Sequence, residues 1–128
     1  MSEENKDKKD NQVQEAKNKD HLDQMIDEWP GLSVVDFWTP SWRPFRDMDW
    51  MFEDMSWEMD QNVRFIWANI EDDEFKDMQE EIPSNPHYRF FKKNKWVDHL
   101  DGAYKETFKE KVERHGKKNE QGEWEEEE

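Results

Sequence analysis

The chain has 128 residues, of which 41% are charged and 32% hydrophobic, and its formal net charge is −15. That length fits one small domain and is too short for two good cores. The charge excludes a nucleic-acid groove, which needs clustered Lys and Arg, and disfavours an anionic membrane surface; basic partners or simple solubility fit better.

Apolar residues are unevenly spread. Residues 1–20 hold almost no large apolar side chain and residues 116–128 only Trp124, so both ends are expected to be disordered charged tails around a domain at 21–115. The opening "MSEENKDKKDNQ" lacks the apolar stretch of a signal peptide, and no run approaches the ~20 residues of a membrane span. The expectation is therefore a soluble protein of the cytoplasm or another intracellular compartment. The chain has no cysteine, which excludes disulfides and thiol chemistry.

In chain order, residues 21–29 place Leu22, Met25, Ile26 and Trp29 at helical spacing, with Pro30-Gly31 as the stop. Residues 32–38 are a valine-rich run, the pattern of a strand buried on both faces. Pro44 sits where a helix's first turn accepts proline. After it Phe45, Met48, Met51, Phe52, Met55 and Met59 form an apolar stripe, with Asp47, Asp49, Glu53, Asp54 and Glu58 on the other side. Residues 62–70 alternate as a strand, and residues 71–81 predict an acidic, weakly amphipathic helix carrying Phe75 and Met78. Strands over 87–93 and 96–100 flank a turn at Asn94-Lys95. A last helix over 104–115 turns Phe108 and Val112 inward and ends at Gly116. Alternating β and α elements predict a central sheet with helices on both faces.

Four landmarks in this order resemble thioredoxin. "VVDFW" (34–38) is similar to the strand leading into that family's active site, and "SWRPF" (41–45) falls where the family has WCGPC. "NP" (85–86) falls at the family's cis-proline loop, and "RFFKKNKWVDHLDGA" (89–103) resembles its final hairpin and following glycine. The resemblance covers about residues 13–115 and implies an α/β, thioredoxin-like fold with a central mixed sheet flanked by helices on both faces.

On this resemblance Trp42 and Phe45 occupy the two cysteine positions and Ser41 that of the preceding tryptophan. Disulfide exchange needs a low-pKa thiolate and a second, resolving thiol; indole and phenyl rings supply neither. A serine hydroxyl needs an adjacent base and carries no two-electron couple. The chain is therefore expected not to be an enzyme and to use no cofactor. Asp36 stands at the family's buried acid, here vestigial, and Trp67 replaces the lysine that usually faces it. Burial without that cation would raise the carboxyl's pKa. Pro86, flanked by Asn85 and His87, marks an edge that in the family pairs with extended peptides.

His21, His87, His99 and His115 are scattered and are read as surface or hairpin residues; neither they nor the acidic runs have the convergence of a metal site. Trp50 and Trp57, seven residues apart, fall on nearly one helical stripe, as an interface would. The reading is a non-catalytic protein-interaction or structural subunit that uses the former active-site face. Its candidate binding residues are Ser41, Trp42, Arg43, Phe45, Trp50, Asn85, Pro86 and His87. Its expected partner is another protein, within a larger assembly, and neither nucleic acid nor membrane. The alternatives are a chaperone-like binder of extended clients at the Pro86 edge and an engineered or diversified thioredoxin scaffold without redox activity.

Overall fold

A computed structural model of the protein describes residues 12–41, 43, 46–59, 63–82 and 86–116. The elements in chain order are β1 (Gln14–Glu15), α1 (Lys19–Glu28), β2 (Leu32–Trp38), α2 (Arg46–Glu58), β3 (Val63–Asn69), a 3-10 helix (Asp73–Met78), β4 (His87–Lys92), β5 (Lys95–Asp101) and α3 (Lys105–His115). The five strands form one sheet in the order β1-β3-β2-β4-β5. β1 and β2 run parallel to β3, while β4 is antiparallel to β2 and to β5. The mixed sheet flanked by helices is the architecture that the alternating pattern predicts. Among the described residues no helix is long and apolar enough to cross a membrane.

β2 lies at the centre because its residues can be dry on both faces. At its even positions Val34 aligns with Phe65 of β3 and Phe90 of β4, and Leu32 with Val63 of β3; both pack under α2 and α3. Its odd positions, Val35 and Phe37, join Ile66 and Ala68 under α1 and the 3-10 helix. Met48, Met51, Phe52 and Met55 of α2 fill the first layer, as their helical spacing predicts. Phe52 meets Phe65 edge-on with ring centroids 5.2 Å apart, and Phe108 of α3 closes the same cluster.

Several sequence expectations are corrected. The fold includes residues before 21, which the sequence assigns to a tail: β1 pairs with Ile66 and Trp67, and Ala16 is buried. That segment is held by backbone hydrogen bonds such as Ala16 N–H to Trp67 O (3.0 Å), which leave no apolar signature. Asn18 then caps α1 by accepting from the His21 N–H (2.7 Å). The remaining tail residues, 1–11 and 117–128, lie outside the described residues. The expected helix over 71–81 is instead a six-residue 3-10 turn. Phe75 and Met78, three apart, suit the eclipsed rows of a 3-10 helix, and the acidic run offers no second apolar row to extend an α-helix.

The hairpin turn sits one residue earlier than expected, on Lys93 and Asn94, both at positive φ (50° and 61°) as a type I′ turn requires. Gly116 ends α3 at φ −88°, outside the left-handed region, so a left-handed cap is not its reason. A Cβ there would lie 2.9 Å from the Val112 carbonyl oxygen and 3.2 Å from Val63, so close packing demands the glycine. His87 and His115 are buried rather than on the surface.

His115 helps to hold α3 against β5. Its Nε2 lies 2.8 Å from Asp98 Oδ2, and the Lys111 ammonium donates to both Asp98 oxygens (3.0 and 2.9 Å). Burial opposes the charge on Asp98, but hydrogen bonds from Lys111, His115 and the His99 amide override it and hold the carboxyl at about 2. A depressed folded-state pKa contributes stability above the unfolded value of 3.8, lost as pH falls through about 2. Asp98→Asn should therefore cost about 1–2 kcal/mol at pH 7, discounted for partial solvent screening. Urea melts should show that cost shrinking below about pH 4.

Candidate functional site

The candidate face lies where β2 ends and the chain turns into α2. Open α/β sheets place functional loops at the carboxyl ends of their strands, at the point where connections diverge. Here β3 lies on one side of β2 and the antiparallel β4 on the other. Trp42 and Phe45 of the connecting loop, and Asn85 of the loop before Pro86, lie outside the described residues. Of the described candidates, Pro86 and His87 are buried, Arg43 is half-buried, and Ser41 and Trp50 are exposed.

Ser41 donates its hydroxyl to Glu71 Oε2, and its backbone N–H donates to Glu71 Oε1 (3.2 Å). The loop is thus tied to the turn after β3. An exposed carboxylate is too weak a base to make an aliphatic hydroxyl a nucleophile, and no imidazole joins the pair among the described residues. Arg43 folds back over the Trp38 ring (4.5 Å to its centroid) and forms an ion pair with Asp49 through Nε and a terminal nitrogen (2.9 Å each). Asp49 is therefore buried rather than on the solvated side of α2.

Below this layer Asp36 is 1% exposed. Its register partners are Trp67 on β3 and Tyr88 on β4, so the three side chains share one face of the sheet. Trp38, two residues on, packs against Trp67 with ring centroids 5.4 Å apart. Both Asp36 oxygens, both indole N–H groups and the Tyr88 hydroxyl find no hydrogen-bond partner among the described residues. Burial pushes the Asp36 carboxyl well above its ordinary value, and the Asp49 charge adds to this; Arg43 and the nearby Trp67 indole offset part. The indole N–H meets the carboxyl in no normal hydrogen-bond geometry, so its relief is small. Burial, with the charges of Asp36 and Asp49, likewise raises the Tyr88 phenol.

Pro86 is at the other edge of the face, and its carbonyl accepts from the Gly102 N–H (2.9 Å). Gly102 has φ +107°, and a Cβ there would lie 2.7 Å from the Tyr104 ring. His87 is 2% exposed and belongs to the hairpin, not to an open edge. Its Nε2 accepts from Arg89 Nε (3.0 Å), so Nδ1 carries the proton and donates to Asp101 Oδ1 (2.5 Å). Burial lowers its pKa despite the Asp101 hydrogen bond, which keeps the ring neutral. Since β4 is paired on both edges from His87 onward, a docking peptide could reach only the loop before it.

Residues 12–114 match the thioredoxin family. The chain belongs to that family. Similar solved structures include the thioredoxin of Plasmodium falciparum, at 25% identity and TM-score 0.70, covering 80% of this chain and 99% of that one. The thioredoxin of Fasciola hepatica matches at 25% identity and TM-score 0.70, covering 80% and 98%. That of Nicotiana alata matches at 22% identity and TM-score 0.73, covering 84% and 95%, a likeness of fold. Within a thioredoxin fold, then, this chain has no cysteine at all.

Sequence reasoning missed Asp49, Glu71, Trp38 and Tyr88. Asp49 was legible as the neighbour of Met48 and one turn before Phe52, which borders the buried row; the Ser41–Glu71 tie had no signal. Asp36 binds its proton more tightly when folded, so stability from this group is greatest at low pH and falls as pH rises above 3.8 toward the raised value. Replacing the carboxyl removes two buried oxygens without partners. Asp36→Val should raise stability by about 1–3 kcal/mol at pH 8, the usual cost of an unsatisfied buried group. Urea melts from pH 8 to pH 4 should show the gain narrowing; a less stable variant at pH 8 would mean that the carboxyl is held by a partner.

Proposed function

We propose that this chain is a non-catalytic thioredoxin-fold subunit that binds another protein through the face around the β2–α2 loop and Pro86. The observation that carries the reading is a family member without cysteine whose loop places large aromatics at the reactive positions. Neither thiolate attack nor resolution is possible there. The ties of Ser41 to Glu71 and Arg43 to Asp49 support it further, because they anchor the residues on either side of Trp42. Anchored flanking residues lose little entropy when a partner binds.

Two measurements test this. In an insulin-reduction assay with a thioredoxin reductase system, turnover should not exceed the blank; any excess removes the non-catalytic reading. Trp42→Ala should change stability by under about 1 kcal/mol, as a surface change does, and weaken the partner complex by about 2 kcal/mol or more. Phe90→Ala, in the core, should instead cost about 3–5 kcal/mol of stability. If Trp42→Ala unfolds the domain as readily as Phe90→Ala, the ring is a core filler and the loop face is not a binding site.

A further inference from the structure

The buried row of α2 accounts for one side of that helix; its opposite side has unusual chemistry of its own. Asp47, Trp50, Asp54 and Trp57 follow at spacings of three and four, so they form one exposed stripe, which Glu58 extends. Trp50 is 57% exposed and Trp57 37%. Phe37, Phe52, Phe65, Phe75, Phe90 and Phe108 are all inside; the other exposed rings, Trp96 and Tyr104, lie on β5 and just before α3, whereas α2 sets two exposed indoles on one helix face. Asp47, Asp54 and Glu58 form no ion pair among the described residues, whereas Asp23 and Glu110 on the other helices are paired within their own turns.

Beside the stripe runs a groove of ≈ 360 Å³ between α2 and α3, with Met51 and Met55 among its lining residues and Lys105 and Lys109 on the far wall. Carboxylates alternating with indole faces are the chemistry that holds a guanidinium or ammonium group, paired to the acid and stacked on the ring. A helix with a cation every three or four residues would meet that alternation in register, and the methionines offer an apolar seat beside it. The two lysines disfavour a uniform polycation in the groove itself and favour an apolar side chain there.

We infer that this α2 flank, with its groove against α3, docks a basic amphipathic helical segment of a partner protein. The net charge of −15 attracts such a segment from a distance. A second copy of this chain, or its own glutamate-rich C-terminal segment, has the wrong sign of charge. Trp50, assigned from the sequence to the loop face, lies on this flank and lines the groove, and Trp42→Ala tests the two surfaces apart.

The full chain can be titrated with a synthetic helical peptide of about 15 residues, with Arg spaced to follow one face and Leu beside it. Two controls accompany it: the same peptide with Leu replaced by Ser, and one with Arg replaced by Glu. The Arg/Leu peptide should bind at least about tenfold more tightly than either control, and shift amide signals of α2 and of Lys105 and Lys109. Trp50→Ala with Trp57→Ala, or Asp54→Lys alone, should weaken it at least about tenfold, while Trp42→Ala leaves it unchanged. Equal binding of the Leu-to-Ser control would reduce the effect to general polyanion attraction and overturn the inference. So would an unchanged affinity in both α2 variants. Loss of binding on Trp42→Ala would move the peptide to the loop face, which sinks this inference and leaves the loop reading standing.

Discussion

The structure depends on one constraint: β2 must be dry on both faces and paired along both edges. Leu32, Val34, Val35 and Phe37 have nowhere to go but between two helical layers, and their backbone groups need β3 and β4 as partners. Every other element is placed by that demand. α1 and the 3-10 helix cover one face, α2 and α3 the other, and the loop leaving β2 emerges at the boundary between them. The position of the β2–α2 loop is thus a by-product of how the central strand is enclosed.

The same enclosure makes Asp36 expensive. It is the one carboxylate on β2, and the sheet register sets it between Trp67 and Tyr88, neither of which neutralises it. A lysine at the Trp67 position would give the acid a countercharge; an indole gives it bulk and an N–H that does not reach. Arg43 stands closest to compensating, yet its guanidinium is committed to Asp49 and Trp38. Arg43 is anchored while burial leaves the acid beneath it with a raised pKa.

Where the sequence was legible, apolar spacing did the work. The valines of β2 and the methionine row of α2 located both layers, and Asp36 could be placed at a strand end from its neighbours alone. What stayed hidden was whatever rests on backbone bonding or on polar side chains meeting across the fold. β1 contributes two residues and no apolar pattern; the Glu71–Ser41 tie joins residues thirty positions apart. His87 falls in its strand by pattern but reads as an accessible edge residue, because nothing local announces that Arg89 and Asp101 will saturate its ring. Exposure of Trp50 and Trp57 was likewise undecidable from spacing, since period alone places residues on a stripe without saying what covers it.

Gly116 has a kinetic implication. A Cβ there would press on side chains of Val63 and Leu32, at the starting ends of two central strands. β4, which completes the second edge of β2, also comes from the last third of the chain. The central strand is made early and can be sealed only late, so during synthesis its valines and one edge wait in the open. Such long-range closure slows folding and leaves the nascent chain dependent on protection from aggregation until the final helix has left the ribosome.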